Sequence, residues 1–480
     1  MHLENKSSFH RSLTLLDGAL LVIGSMIGSG IFIVSADISR TVGSAGWLVF
    51  VWLLSGFITL SAALSYGELS GMYPQAGGQY VYLREAYGKL YGFLYGWSFF
   101  GVIQTGTIAA VGVAFAKFTG YIVPSLGENN VLLEIGKFHI TAAQLLAIAM
   151  ITLLTWINST GVKNGKWIGF FFTFAKIGAM AALIIFGFLA VKGGSMWHEN
   201  WMSPWMAMRI QDKMNGGIIT HATLDTNQLI IAIGVAMVGA LFSSDAWNNV
   251  TFIAAEIKKP ERNIGLSLFI GTLVVTVIYV SMNLMYLNTL SIGEIAHAPS
   301  DRVALAAALK IFGSSGTWMI AVMIMIATFG CNNGLILSGA RVYYTMANDG
   351  LFLPAAKKLN KNGVPAVALW MQCIWASLLC LSGTYGNLLD FIIFTVLLFY
   401  ILTIAGIFVL RKKAPDHPRP YKAFGFPVIP VIYIALASSI CVILLLNKPE
   451  YTWPGLIIVL LGIPVYYWLN RRQNAETPKA

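Results

Sequence analysis

Apolar runs of about twenty residues, the length an α-helix needs to cross bilayer hydrocarbon, recur along nearly the whole chain and are separated by short polar segments. They predict spans at Leu13–Ile38, Trp47–Ser70, Tyr91–Val123, His139–Asn158 and Trp167–Val191. After a polar stretch they resume at Gln228–Ala255, Ile264–Leu290, Thr317–Met346, Pro365–Ser382, Leu388–Leu410, Phe426–Leu446 and Trp453–Leu469. The pattern predicts an all-α polytopic membrane protein with about twelve transmembrane helices.

Two of these spans are interrupted. In the first, Gly24 to Phe32 reads GSMIGSGIF, and glycine costs about 1 kcal/mol relative to alanine inside a helix. In the sixth, SSDAWNN at Ser243 to Asn249 breaks the apolar run. Lipid offers no hydrogen bonds to freed backbone groups, so irregular backbone survives in a membrane only where it is buried in protein or lines a wet cavity. Each interrupted span opens a set of five, and because five is odd the two sets insert with opposite orientations. That is the pattern of an inverted-repeat secondary transporter with its substrate near the bilayer midplane. The alternative for the glycines is close helix packing, as small-xxx-small motifs provide. The expected division is residues 13–191 for the first five-helix repeat, 192–227 for an external loop and 228–410 for the second repeat. A cytoplasmic loop at 411–425 and two further spans at 426–470 follow, with cytoplasmic termini at 1–12 and 471–480.

Composition supports the membrane reading and removes a competitor. Of 480 residues 57% are hydrophobic and 11% charged, less than half the charged share of soluble domains, and the mean hydropathy is +0.72. A net charge of +11 raises nucleic-acid binding, but the Lys and Arg residues gather in alternate connecting segments, such as Lys258, Lys259 and Arg262, or Arg411, Lys412 and Lys413. This is the positive-inside distribution; it places both termini in the cytoplasm and gives no role to nucleic acid. Cys331, Cys373, Cys380 and Cys441 lie in apolar runs without metal-ligand spacing and read as packing residues. The first apolar stretch has no convincing cleavage site and is expected to be retained in a multi-pass cell-membrane protein.

The breaks supply the candidate chemistry. Backbone N–H groups of Ser29, Gly30 and Ile31 would open the outer half-helix of span one, a ready site for an anion such as an α-carboxylate. The turn near Phe242 would expose carbonyls that accept from an α-ammonium, and Phe242 itself is either a lid or core. Asp245 is expensive near mid-membrane and is a functional candidate by default; it either meets a cationic group or proton, or caps the second half-helix. Lys176, a third of the way into span five, either finds carbonyl partners inside the bundle, occupying a cation site, or snorkels. Gln104, Asn333, Ser338 and Thr395 line the cavity or bond between helices. Asp17, Glu256 and Arg341, near cytoplasmic ends, form an inner gate or anchor at the interface. Asp301 to Gly313 reads as a short amphipathic helix, a lid or a surface helix. No HExxH, GxSxG or Walker A string occurs, so no catalytic residue, metal or cofactor is expected and the chain does not read as an enzyme.

Several strings taken together resemble the L-type amino acid transporter family of the amino acid, polyamine and organocation superfamily. They are GSMIGSGIF, YPQAGGQYVYLREAYG, AKIGAMAALIIFGF, LFSSDAWNNVTFIAAEIKKPERN, ARVYYTMANDGLFLP and LRKKAPDHPRPYK, and the likeness covers essentially the whole chain. The resemblance implies a LeuT-like 5+5 inverted repeat plus two C-terminal helices. It implies that the carboxylate is held by the backbone of Ser29 and Gly30, with the carbonyl of Met26 near the amine. It also implies amine contacts on the backbone of Phe242 and Asp245, Phe242 as an aromatic gate, and Lys176 standing where sodium-coupled relatives hold an ion. The implied activity is sodium-independent transport of α-amino acids, neutral ones first, by alternating access as exchanger or facilitator.

Departures from the family pattern fall at Ser244, Ala246 and Val396, where relatives carry an aromatic, a glycine and an asparagine, so the pocket is reshaped. PSLGENNVLLEIGKFH, after span three, lacks the cysteine that links animal members to a heavy chain. A bacterial inner-membrane protein without a disulfide-linked heavy chain is implied, with an amino acid and the lipid bilayer as its partners. Proton-coupled symport, and a non-transporting amino acid sensor, are the alternatives.

Overall fold

The structure is a computed structural model that describes residues 11–135, 138–190, 195–212, 219–382 and 385–476. Span one consists of the helix Leu15–Met26, a 3-10 turn at Gly30–Phe32 and the helix Ser35–Val42. Spans two to five are Ala45–Met72, Lys89–Ile122, Ala142–Thr160 and Val162–Ala190. Span six runs from Thr226 to Ser243, breaks, and resumes as short turns at Asn249–Phe252 and Ala254–Glu256. Spans seven to twelve are Pro260–Thr289, the later part of Val303–Asn348, Ala366–Ser382, Tyr385–Lys413, Val428–Asn447 and Pro449–Glu476.

Among the described residues, ten helices are long and apolar enough to cross a membrane. The expected count of about twelve is reached only with two shorter pieces. Span one falls short because its break leaves a first half of 12 residues, and span nine because it has 17. Spans one, four and six each start at a capping box, Thr14 with Asp17, Thr141 with Gln144, and Asp225 with Gln228. Each satisfies two backbone donors that the first turn leaves orphaned, and such a cap is worth about 1 kcal/mol.

Two details depart from the sequence reading. The amphipathic helix expected over Asp301 to Gly313 begins at Val303, after a 3-10 turn at Pro299–Asp301, and meets span eight at a kink where Gly313 takes φ 71°. The all-α expectation also misses two antiparallel hairpins, β1 Val131–Ile135 with β2 Phe138–Thr141, and β3 Met208–Asp212 with β4 Ile219–Thr223. Both lie in connecting segments, where open strand edges do not have to meet lipid.

Span seven organises the centre. It packs along span two, against the first half of span one and against span five, while span eight packs along spans three and five. The two breaks are thereby brought into contact inside the bundle. A Cβ added at Gly30 would fall 2.0 Å from the Ser243 hydroxyl, so glycine is required there by the approach of the second break.

Candidate functional site

The first break exposes donors. After Met26 the helix ladder stops, and Ile27, Gly28 and Ser29 lead into the 3-10 turn. The amides of Gly28, Phe32 and Ile33 bond to Met26, Ser29 and Gly30 carbonyls, whereas among the described residues those of Gly30 and Ile31 donate to no group. Both residues are buried. Buried N–H groups left in this state are rare, and two side by side at the start of a helical turn are donors of the kind that suits an anion.

Lys176 sits beneath this turn. It is 1% exposed, and its Nζ donates to the carbonyl of Gly24 at 2.6 Å and of Ile27 at 2.7 Å. The ammonium therefore reaches no interface: it satisfies the carbonyls of Gly24 and Ile27 at the end of the first half-helix. Gly24 leaves it room, since a Cβ there would lie 2.6 Å from the Thr173 hydroxyl of the same span.

The second break presents acceptors and a carboxylate. Span six ends at Ser243, and Ala246 within the gap takes φ 62°, the left-handed region. Asp245 is buried, and its Oδ1 accepts from the Tyr400 hydroxyl of span ten at 2.6 Å. The short turn that follows is preceded by Asn248 and has no side-chain cap, so Asp245 serves span ten. Phe242 is buried at 7% exposure beside the gap. Its carbonyl accepts from the amide of Asp245 at 3.2 Å.

Asp245 separates two small spaces. One, of about 10 Å³, is lined by Gln79, Gln104, Thr107, Asn248 and Asn249 together with Val396. There the Asn248 amide donates to Gln79, Gln79 donates to Thr403, and Gln104 donates to the Leu335 carbonyl, while the Asn249 Nδ2 is buried without a partner. The other, of about 20 Å³, is walled by Ile58, Leu241, Val396 and Tyr433. Each holds about one water at most, so a substrate side chain needs these walls to part.

Sequence reasoning missed the residues that join the breaks. Span seven carries Tyr279, Asn283 and Tyr286 at i, i+4 and i+7, one face of a helix. The Tyr279 hydroxyl donates to the carbonyls of Met26 at 2.9 Å and Ser243 at 3.0 Å. Asn283 accepts from Ser35 at 2.7 Å, and Tyr286 donates to the Ile31 carbonyl at 3.3 Å. The signal was present as a polar stripe in an apolar span. Tyr400 offered only a lone tyrosine.

At the lysine-rich face Asp17 and Glu256, two of the expected gate residues, line one cavity but are held by different partners. Arg341 Nε donates to Glu256 at 3.1 Å, and both side chains are buried. The backbone of Ser12 and Leu13 donates to the Glu256 carbonyl at 2.9 and 3.0 Å. Asp17 instead closes the cap on Thr14. Above them a cavity of about 60 Å³, lined by Asp17, Gly24, Thr173, Glu256 and Asn333, leads toward the first break. Asn333 accepts from Asn158 at 2.8 Å, and Ser338 donates to its own helix at Gly334. Thr395 is buried.

A family model described as amino acid permease matches residues 13–466. The human large neutral amino acids transporter small subunit 2 is 30% identical over 467 residues, covering 96% of this chain and 81% of the relative. The serine/threonine exchanger SteT of Bacillus subtilis (strain 168) is 29% identical over 477 residues, covering 98% and 100%. The mouse Asc-type amino acid transporter 1 is 28% identical over 466 residues, covering 97% and 82%. With two broken helices meeting in a multi-pass bundle and a match over nearly its full length, this chain belongs to the amino acid permease family, among its L-type transporters.

Proposed function

We propose that the protein is a sodium-independent exchanger of neutral α-amino acids that works by alternating access. The observation that carries this is the pair of buried amides of Gly30 and Ile31, which have no partner among the described residues, in a turn that packs against Ser243 of the second break. In this reading they take the substrate carboxylate together with Ser29, while carbonyls of Met26 and Phe242 and the backbone at Asp245 take the ammonium. Phe242 closes over the ligand. Lys176 fills the cation position permanently, which supports independence from sodium. The polar lining beside Asp245, with its free Asn249 amide, favours a small hydroxyl or amide side chain; two of the relatives are named for serine/threonine exchange and for Asc-type transport.

The lysine-rich face is cytoplasmic in this reading, so both termini are, and the protein sits in a bacterial inner membrane. It functions without a disulfide-linked partner: all four cysteines are buried. The test is uptake of radiolabelled serine into proteoliposomes, with and without internal amino acid and with sodium replaced by potassium. Uptake is expected only with internal amino acid and equally in both salts. Uptake driven by a pH gradient into empty vesicles would establish symport instead, and no uptake of any amino acid would leave the sensor reading.

A further inference from the structure

A second site lies away from both breaks, at the face opposite the lysine-rich one. A cavity of about 590 Å³ is enclosed by the short helix Ile292–Ala296 after span seven, the helix over 303–312, the tip of span three and the start of span eight. Its floor is apolar, formed by Leu290, Leu305 and Leu309. Three charged side chains rim it. Lys310 pairs with Glu294 at 2.6 Å, whereas Arg302 forms no direct ion pair among the described residues, and of the carboxylates only the nearby Glu128 acts on its charge. The Arg302 Nη2 donates to the Lys117 carbonyl of span three at 2.8 Å, and its guanidinium lies 5.6 Å from the Tyr121 ring centre. Its Nε is buried and bonds to nothing.

The surface beside this cavity is lipid-facing. Leu309, Trp318 and Met319 are 54%, 55% and 60% exposed at the start of an apolar span, and a tryptophan at a span end marks the level of the headgroups. A leucine floor open to the acyl region, with an arginine donor at headgroup depth, matches an amphiphile that carries an anion at one end. We propose that this cavity binds a phospholipid of that leaflet, with an acyl chain against Leu290, Leu305 and Leu309 and its phosphate on Arg302. A guanidinium carries five N–H donors, so a phosphate on those left over adds a contact without displacing the Lys117 carbonyl from Nη2. The neighbouring Asp301 and the Ala296 carbonyl both accept from Arg40 of span one at 2.7 Å, so the lipid sits on the strap that joins spans one and three.

The test uses the full chain, delipidated in mild detergent and titrated with phosphatidylglycerol, read by native mass spectrometry and by thermal shift. The wild type is expected to retain the lipid and to melt higher with it, while inorganic phosphate has no effect. Arg302→Gln should bind about tenfold more weakly, the loss of one charge-assisted hydrogen bond. Leu309→Trp fills the floor and leaves every hydrogen bond in place, so it separates a lost site from a damaged fold; it should lose both retention and the thermal gain. Equal retention by wild type and Leu309→Trp overturns the site, and an equal gain from inorganic phosphate overturns its assignment to lipid. Neither readout depends on transport.

Discussion

The two breaks solve the same problem with opposite means. The first, built from glycine and serine, exposes bare peptide groups, and its contacts are backbone: the amides of Gly30 and Ile31 on one side, the carbonyls of Gly24 and Ile27 clamped by Lys176 on the other. The second keeps an acidic side chain at its centre, held by a tyrosine from span ten and bordered by amides of other helices. A backbone site reads what all α-amino acids share. A side-chain site can distinguish among them, so in the proposed reading common recognition belongs at the first break and selectivity at the second.

That comparison can be broken most severely at Lys176. Lys176→Ala leaves the Gly24 and Ile27 carbonyls buried and unpaired, and hydrogen bonds to a charged group are worth about 1.5–3 kcal/mol each. Exchange in proteoliposomes should fall by about 100-fold or more for every substrate alike; unchanged rates would show that the first break stands without its cation. Tyr279→Phe removes one hydroxyl shared by both breaks, a loss of about 1–3 kcal/mol. Turnover should drop about tenfold while the ranking of competing amino acids stays the same. A changed ranking would give Tyr279 a selective role.

Asp245→Asn tests the other half. Asparagine still accepts from Tyr400 but carries no charge, so the competition profile over the twenty amino acids should shift while the need for a free α-carboxylate and α-amine persists. An identical profile would reduce Asp245 to a strut for span ten. The smallest effect is expected at Ala246, whose left-handed conformation costs an L-residue about 1–2 kcal/mol. Ala246→Gly should raise the melting temperature of the purified protein, and a fall would mean that the methyl group contributes packing that outweighs the strain.

Much of this was legible in the chain. The runs of apolar residues and the two glycine or polar interruptions state where helices run and where they stop, because lipid forbids free backbone and glycine resists helix. Lys176 and Asp245 were visible as charges too deep to be accidental. The hairpins were not legible, because strands of four and five residues in polar connections leave too short a pattern. How Asp17 and Glu256 are held was not legible either: both are acids near the same membrane face, and Glu256 pairs with Arg341 whereas Asp17 completes the cap on Thr14.

The amino-acid order by itself determined the class of molecule, the succession of spans, the positions of both breaks and the basic face. It could not say what each buried polar group would meet. Lys176 finds its carbonyls across 149 and 152 residues, Tyr400 finds Asp245 across 155, and Tyr279 reaches Met26 across 253. Periodicity reports which side of a helix is apolar, a property of neighbours within a few turns. Which distant atom stands opposite is decided only when the helices pack, and in this bundle those pairings hold the two breaks together.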